Sequence, residues 1–185
     1  MEQKKGNWKI NSSHLQYDNP WIAVTEYGVT NPSGKDGIYG KVHYKNIAIG
    51  IVPIDENGNI YMVEQFRFVL NQPSLEIPEG GGDPSIDPLV SAKRELKEET
   101  GLEASSWDKL LEMHLSNSVS DEKAIVYLAR GLKQGEMALE ETEDIQVVKM
   151  NWRDAYQKVV DHEITDSMTV AALLKIYVMH LENQL

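Results

Sequence analysis

Apolar positions fall in short β-type runs through most of the chain and at helical spacing in three places. Trp21 to Val29 reads as a strand, Asn31 to Gly34 as a turn, and Tyr39 to Val52 as a longer β-rich segment. Ile47 to Ile54 and Ile60 to Phe66 are apolar, β-branched runs separated by Asp55, Glu56, Asn57 and Gly58. An Asn-Gly pair between two such runs predicts a central hairpin. Ser74 to Ile77 leads into Pro78 to Gly82, whose glycines predict a loop. Asp87 as N-cap, Pro88 at the first helical position and Gly101 just past the end delimit a helix. Strands near Leu110 to His114, Ala124 to Ala129 and Ile145 to Met150 precede helical segments over Arg153 to Val160 and Asp166 to Leu181. Val170, Leu173, Leu174 and Val178 predict a core-packing face on the last of these. Strands mixed with few helices indicate an α/β or α+β architecture.

Composition narrows what such a fold does. The chain has 185 residues, 41% of them hydrophobic, enough for one globular domain or one domain with an appendage. Its net charge of −11 disfavours general nucleic-acid binding, because the averaged field repels phosphate backbones. A small anionic substrate is compatible with that charge only if metal ions bridge the two. With no cysteine, disulfides, thiolate zinc sites and a cysteine nucleophile are excluded together. The N-terminal residues lack the apolar stretch of a secretory signal and no window approaches a membrane span, so a cytoplasmic location and no membrane partner are expected.

The candidate chemistry lies on the helix after Asp87. Glu95, Glu98 and Glu99 fall at i, i+3 and i+4 and form one acidic patch beside the apolar stripe of Leu89, Ala92 and Leu96, while Lys93 and Lys97 face away from it. Three carboxylates within a turn repel one another unless a cation sits among them. Oxygen donors of this kind suit a hard divalent ion, above all magnesium, with manganese as an alternative. A solvated acidic face is the other reading of the spacing alone. The histidines (His14, His43, His114, His162, His180) show no close metal-ligand spacing.

Gly80 to Leu102, with Arg94-Glu-Leu-Lys-Glu-Glu-Thr-Gly-Leu102, resembles the Nudix box, G-x5-E-x7-R-E-U-x-E-E-x-G-U with U aliphatic. It departs at the box's first glutamate, where this chain has Ile86, followed by Asp87. The resemblance implies a Nudix-like α/β/α sandwich with a mixed sheet over residues 43–185. It also implies a small β-rich extension over 1–42 that serves dimerisation and substrate contacts. Glu95, Glu98 and Glu99 match the family's metal-binding glutamates, Arg94 the arginine that orients them, and Glu79 a position whose main-chain carbonyl often completes a metal site. Gly80 and Gly81 are placed against the substrate. The implied reaction is hydrolysis of a nucleoside diphosphate linked to another moiety.

A general base must also be found. The segment Glu140 to Ile145 resembles the acidic loop of ADP-ribose pyrophosphatases, in which Glu141 and Glu143 match catalytic positions; an ordinary solvated loop is the alternative. Glu122 is a second candidate, as base or as a further metal ligand. Similarity to the branch acting on ADP-ribose and nucleoside diphosphate sugars extends to Tyr17–Ile22, Gly37–Gly40, Glu64–Arg67 and Leu75–Gly81. Where many ADP-ribose enzymes have Ser-Pro-Gly, this chain has Ser116-Asn-Ser118, which raises a nucleotide sugar such as GDP-mannose. Tyr17 or Trp21 would stack on a base or simply pack; Arg67 would grip the diphosphate or form a structural salt bridge. A homodimer is implied. A catalytically silent nucleotide-binding module of the same fold is the competing reading.

Overall fold

The computed structural model describes residues 3–135 and 144–185, in two compact units. The first comprises residues 1–47 and 114–123. Its strands β1 (Gln3–Lys5), β2 (Trp8–Asp18), β3 (Ile22–Thr30) and β4 (Asp36–Tyr44) form one sheet in that order. The β1–β2, β2–β3 and β3–β4 pairs are all antiparallel. The β3–β4 turn forms where the sequence predicts, with Gly34 N–H donating to the Asn31 carbonyl at 2.9 Å.

The 114–123 segment joins this unit through Asp121. Its carboxylate takes hydrogen bonds from Lys41 Nζ (2.5 Å), His43 Nδ1 (2.8 Å) and the Tyr44 N–H (3.0 Å). Burial works against its ionisation, but these donors hold the carboxyl at about 2. A carboxyl depressed in the folded state stabilises fully above its unfolded value near ~3.9 and loses that contribution as pH falls through the folded value. With a third of the side chain exposed, Asp121→Asn should cost about 1 kcal/mol. The difference in melting temperature between wild type and variant should shrink as pH drops from about 4 to about 2. A pH-independent difference would refute the ion-pair account.

The second unit comprises residues 48–113 and 124–185. One of its sheets runs β8 (Glu79–Gly82), β5 (Ile47–Pro53), β10 (Lys123–Gln134), β9 (Leu102–His114), and the other β11 (Gln146–Asn151), β6 (Asn59–Arg67), β7 (Gln72–Glu76). β5 and β10 pair in parallel from Ala48–Ala124 to Pro53–Ala129, whereas β6 is antiparallel to β7 and β11, so the architecture is α+β with mixed pairing. Ile49, Ile51, Val52, Ile60, Met62, Ile77, Leu96, Val126, Leu128, Leu173 and Ile176 are fully buried and make the core. Among the described residues no helix is long and apolar enough to cross a membrane.

The expected hairpin does not form as a ladder. Its turn is present, with Gly58 at φ +76 and Asp55 Oδ1 accepting the N–H of Asn57 and Asn59. Pairing stops at the single bridge Ile54–Ile60, after which β5 turns to β10 and β6 to β7 and β11. The turn chemistry is local, but β5 is claimed by the distant β10, and β6 by β7, the next strand, and by the distant β11. The glycine-rich segment is likewise a strand, β8, because it lies along β5 at the sheet edge.

Helix α1 (Pro88–Thr100) starts and stops as expected: Asp87 accepts the Leu89 N–H at 3.0 Å, and Gly101 takes the left-handed conformation at φ +70. α2 (Trp152–Val160) is capped by Asn151 and α3 (Ser167–Leu181) by Asp166. The buried face of α3 is Met168, Thr169, Ala172, Leu173 and Ile176, while Leu174 and Val178 are exposed. The expected apolar stripe is therefore rotated. On a helix this rich in apolar residues, spacing alone does not choose the face.

Candidate active site

The site is built where α1 packs on β8. Gly80 and Gly82 admit this approach. A Cβ on Gly80 would overlap the Glu95 carboxylate, and one on Gly82 would lie 2.9 Å from the Ile49 side chain and 3.2 Å from Ser91 Oγ. Glu95 and Glu99 are buried, Glu98 half-buried, so the acidic patch is largely turned into the protein. Arg94 ties it together, donating to Glu95 Oε1 (2.5 Å), Glu98 Oε2 (2.5 Å) and the Gly81 carbonyl (3.0 Å). Glu99 Oε2 accepts the main-chain N–H of Glu79 at 3.0 Å, fixing the start of β8 against the helix. Two of the carboxylates thus meet one guanidinium, and the third is held by a main-chain N–H. Buried anionic oxygens in that excess fit a hard divalent cation.

Arg67, at the end of β6, is held as a salt bridge. Its Nε lies 2.9 and 3.0 Å from the two oxygens of Glu76, and its Nη2 donates both to Glu76 Oε2 (2.5 Å) and to Glu79 Oε1. Glu79 Oε2 is buried without a hydrogen-bond partner. Burial, then the charges of Asp166 and Glu76, push the Glu79 carboxyl well up, with Arg67 opposing and Glu99 adding to the rise. Single oxygens of Glu76, Glu79 and Asp166 lie within 4.8 Å of one another. Sequence reasoning missed Glu76 and Asp166. A charged residue inside the apolar run Leu75–Ile77 was the available signal for Glu76, since a buried carboxylate demands a partner; Asp166 was legible only as a helix cap.

Tyr17 and Trp21 are in the first unit, 55% and 66% exposed. Glu122 also belongs to that unit; burial raises its carboxyl, and its charge adds to burial in raising the Tyr44 hydroxyl. Glu141 and Glu143 lie outside the described residues. Ile86, at the departure from the box, is an exposed residue in the turn before α1.

A glycine-admitted strand thus lies against a helix that carries two carboxylates on one arginine and a third on a main-chain N–H. The NUDIX domain family matches residues 44–168, and the chain belongs to the Nudix hydrolase family. It is 36% identical over 137 residues to an ADP-ribose pyrophosphatase of Mycobacterium tuberculosis (strain ATCC 25618 / H37Rv), covering 70% of this chain and 64%, just under two thirds, of that protein. It is also 36% identical over 128 residues to a methanol dehydrogenase activator of Bacillus methanolicus, covering 68% of this chain and 69% of the other. The fold matches a solved structure of an ADP compounds hydrolase with a TM-score of 0.85 at 19% identity, over 100% of this chain and 99% of that one.

Proposed function

We propose that the protein is a divalent-metal-dependent pyrophosphatase that cleaves the diphosphate of ADP-ribose or a related nucleoside diphosphate sugar, giving a nucleoside monophosphate and a sugar phosphate. The observation that carries this reading is the pairing of Glu95 and Glu98 by Arg94, with Glu99 held beside them on the Glu79 N–H, over a strand whose Gly80 leaves room for the Glu95 carboxylate. ADP-ribose is favoured over GDP-mannose by the ADP-ribose pyrophosphatase among the similar proteins, against the departure at Ser116-Asn-Ser118.

Magnesium or manganese held by these glutamates and the Glu79 carbonyl would neutralise charge on the diphosphate oxygens and lower the pKa of a water. The chain's own part is to hold that set rigidly: Arg94 fixes Glu95 and Glu98, and the Glu79 N–H fixes Glu99. Gly80 and Gly81 would let the substrate approach the main chain of β8. The proton acceptor is assigned to the acidic segment with Glu141 and Glu143, or to Glu122. We assign residues 1–42 to dimerisation and to the nucleobase, through Tyr17 or Trp21, in a cytoplasmic homodimer.

The test is magnesium-dependent release of nucleoside monophosphate from ADP-ribose, GDP-mannose, UDP-glucose and diadenosine polyphosphates. Preferred turnover of ADP-ribose is expected. Turnover of none, with one of them still raising the melting temperature, would replace the enzyme by a silent binding module of the same fold.

A further inference from the structure

The α1 carboxylates do not account for all the negative charge buried here. Glu76, Glu79 and Asp166 face a single guanidinium, that of Arg67. Arg67 engages both oxygens of Glu76 but only Oε1 of Glu79. Gln65 Nε2 adds one long contact to Glu76 Oε2 at 3.4 Å. Asp166 Oδ2 accepts the Thr169 N–H at 2.7 Å as the cap of α3. That leaves Glu79 Oε2, on a side chain only 10% exposed, with no partner. A buried carboxylate oxygen with nothing to bind is costly enough to require an explanation.

We propose that one oxygen each from Glu76, Glu79 and Asp166 forms a divalent-cation site distinct from the α1 carboxylates, with the Glu79 side chain as its central ligand. Three carboxylates against one guanidinium leave two negative charges, which a divalent ion cancels. Oxygens within 4.8 Å of one another suit the span across an ion whose ligands stand at roughly 2.0–2.6 Å. An all-carboxylate donor set selects magnesium, manganese or calcium over softer metals. The ion would join the start of β8 to the first turn of α3, where Thr169 Oγ1 already accepts the Ile77 N–H at 3.0 Å. It would thereby stiffen the residue whose N–H holds Glu99. The site does not depend on the pyrophosphatase reading.

Manganese alone, titrated into the full chain and counted by calorimetry and electron paramagnetic resonance, tests it. Asp166→Asn should bind one Mn2+ fewer per chain than wild type, and asparagine retains the helix cap. Glu98→Gln should keep the ion that Asp166→Asn loses. An unchanged count in Asp166→Asn would overturn the proposal and leave a proton on Glu79 as the compensating charge. Loss of every bound Mn2+ in Glu98→Gln would overturn it too, since only one site would then exist. Glu79→Gln supplies the same comparison if Asp166→Asn does not fold. An Asp166-dependent ion in a protein that turns over no diphosphate substrate would remove the functional reading and leave this site standing.

Discussion

Glu98→Gln should lower turnover of the preferred substrate about a thousandfold, equivalent to ~4 kcal/mol of transition-state stabilisation, while the melting temperature stays within a few degrees of wild type. Glu98 is the best of the three α1 glutamates for separating chemistry from folding. Glu95 and Glu99 are buried, and Glu99 also holds the N–H of Glu79, so their loss disturbs packing as well as charge. Glu98 is 23% exposed and meets Arg94 at the surface of the cluster. Glutamine keeps its size and a hydrogen-bonding oxygen but removes the charge, which is what a divalent ion requires. Steady-state kinetics with and without magnesium, beside a thermal melt, decide the matter. Turnover like that of wild type would remove Glu98 from the metal set.

Gly80→Ala should cost about a hundredfold in turnover with a smaller effect on stability, on the order of 1 kcal/mol. The added methyl would occupy the space of the Glu95 carboxylate. That carboxylate ends a flexible side chain, so it can swing aside without dislodging α1, and little folding energy is lost. Swinging aside takes it off Arg94 and out of register with Glu98, and a displacement of about an ångström is enough to spoil a pre-positioned site. The weakening should appear as a higher magnesium requirement together with lower kcat. Normal kcat at ordinary magnesium would mean that Glu95 is not needed in its observed position.

Much of the site was legible because its signals are local. Asp87, Pro88 and Gly101 each act on the backbone within one turn of themselves, and α1 begins and ends where they stand. With the helix fixed, its period alone brings Glu95, Glu98 and Glu99 to one side, and Arg94 can reach two of them within the same turn. Asp166 was visible as the residue opening the last helix for the same reason.

What the sequence left open was always a choice between partners. Asp55 to Gly58 makes the expected turn, yet strand pairing is settled by hydrogen bonds to β10, β7 and β11. The exposed positions of Leu174 and Val178 show the same limit on an apolar helix, whose buried side depends on what packs against it. The ion pairs of Arg67 were equally out of reach of a local reading, because β7 and β8 bring Glu76 and Glu79 to its guanidinium. The sequence by itself determined helix limits and the acidic patch, since these follow from dihedral preferences and a period of 3.6, while Arg94 as its brace was implied by the family resemblance. Tertiary structure alone decided the sheet order, the burial of Glu95 and Glu99, and the meeting of Glu76, Glu79 and Asp166. Those depend on contacts between segments far apart in the chain, and no short window of residues encodes them.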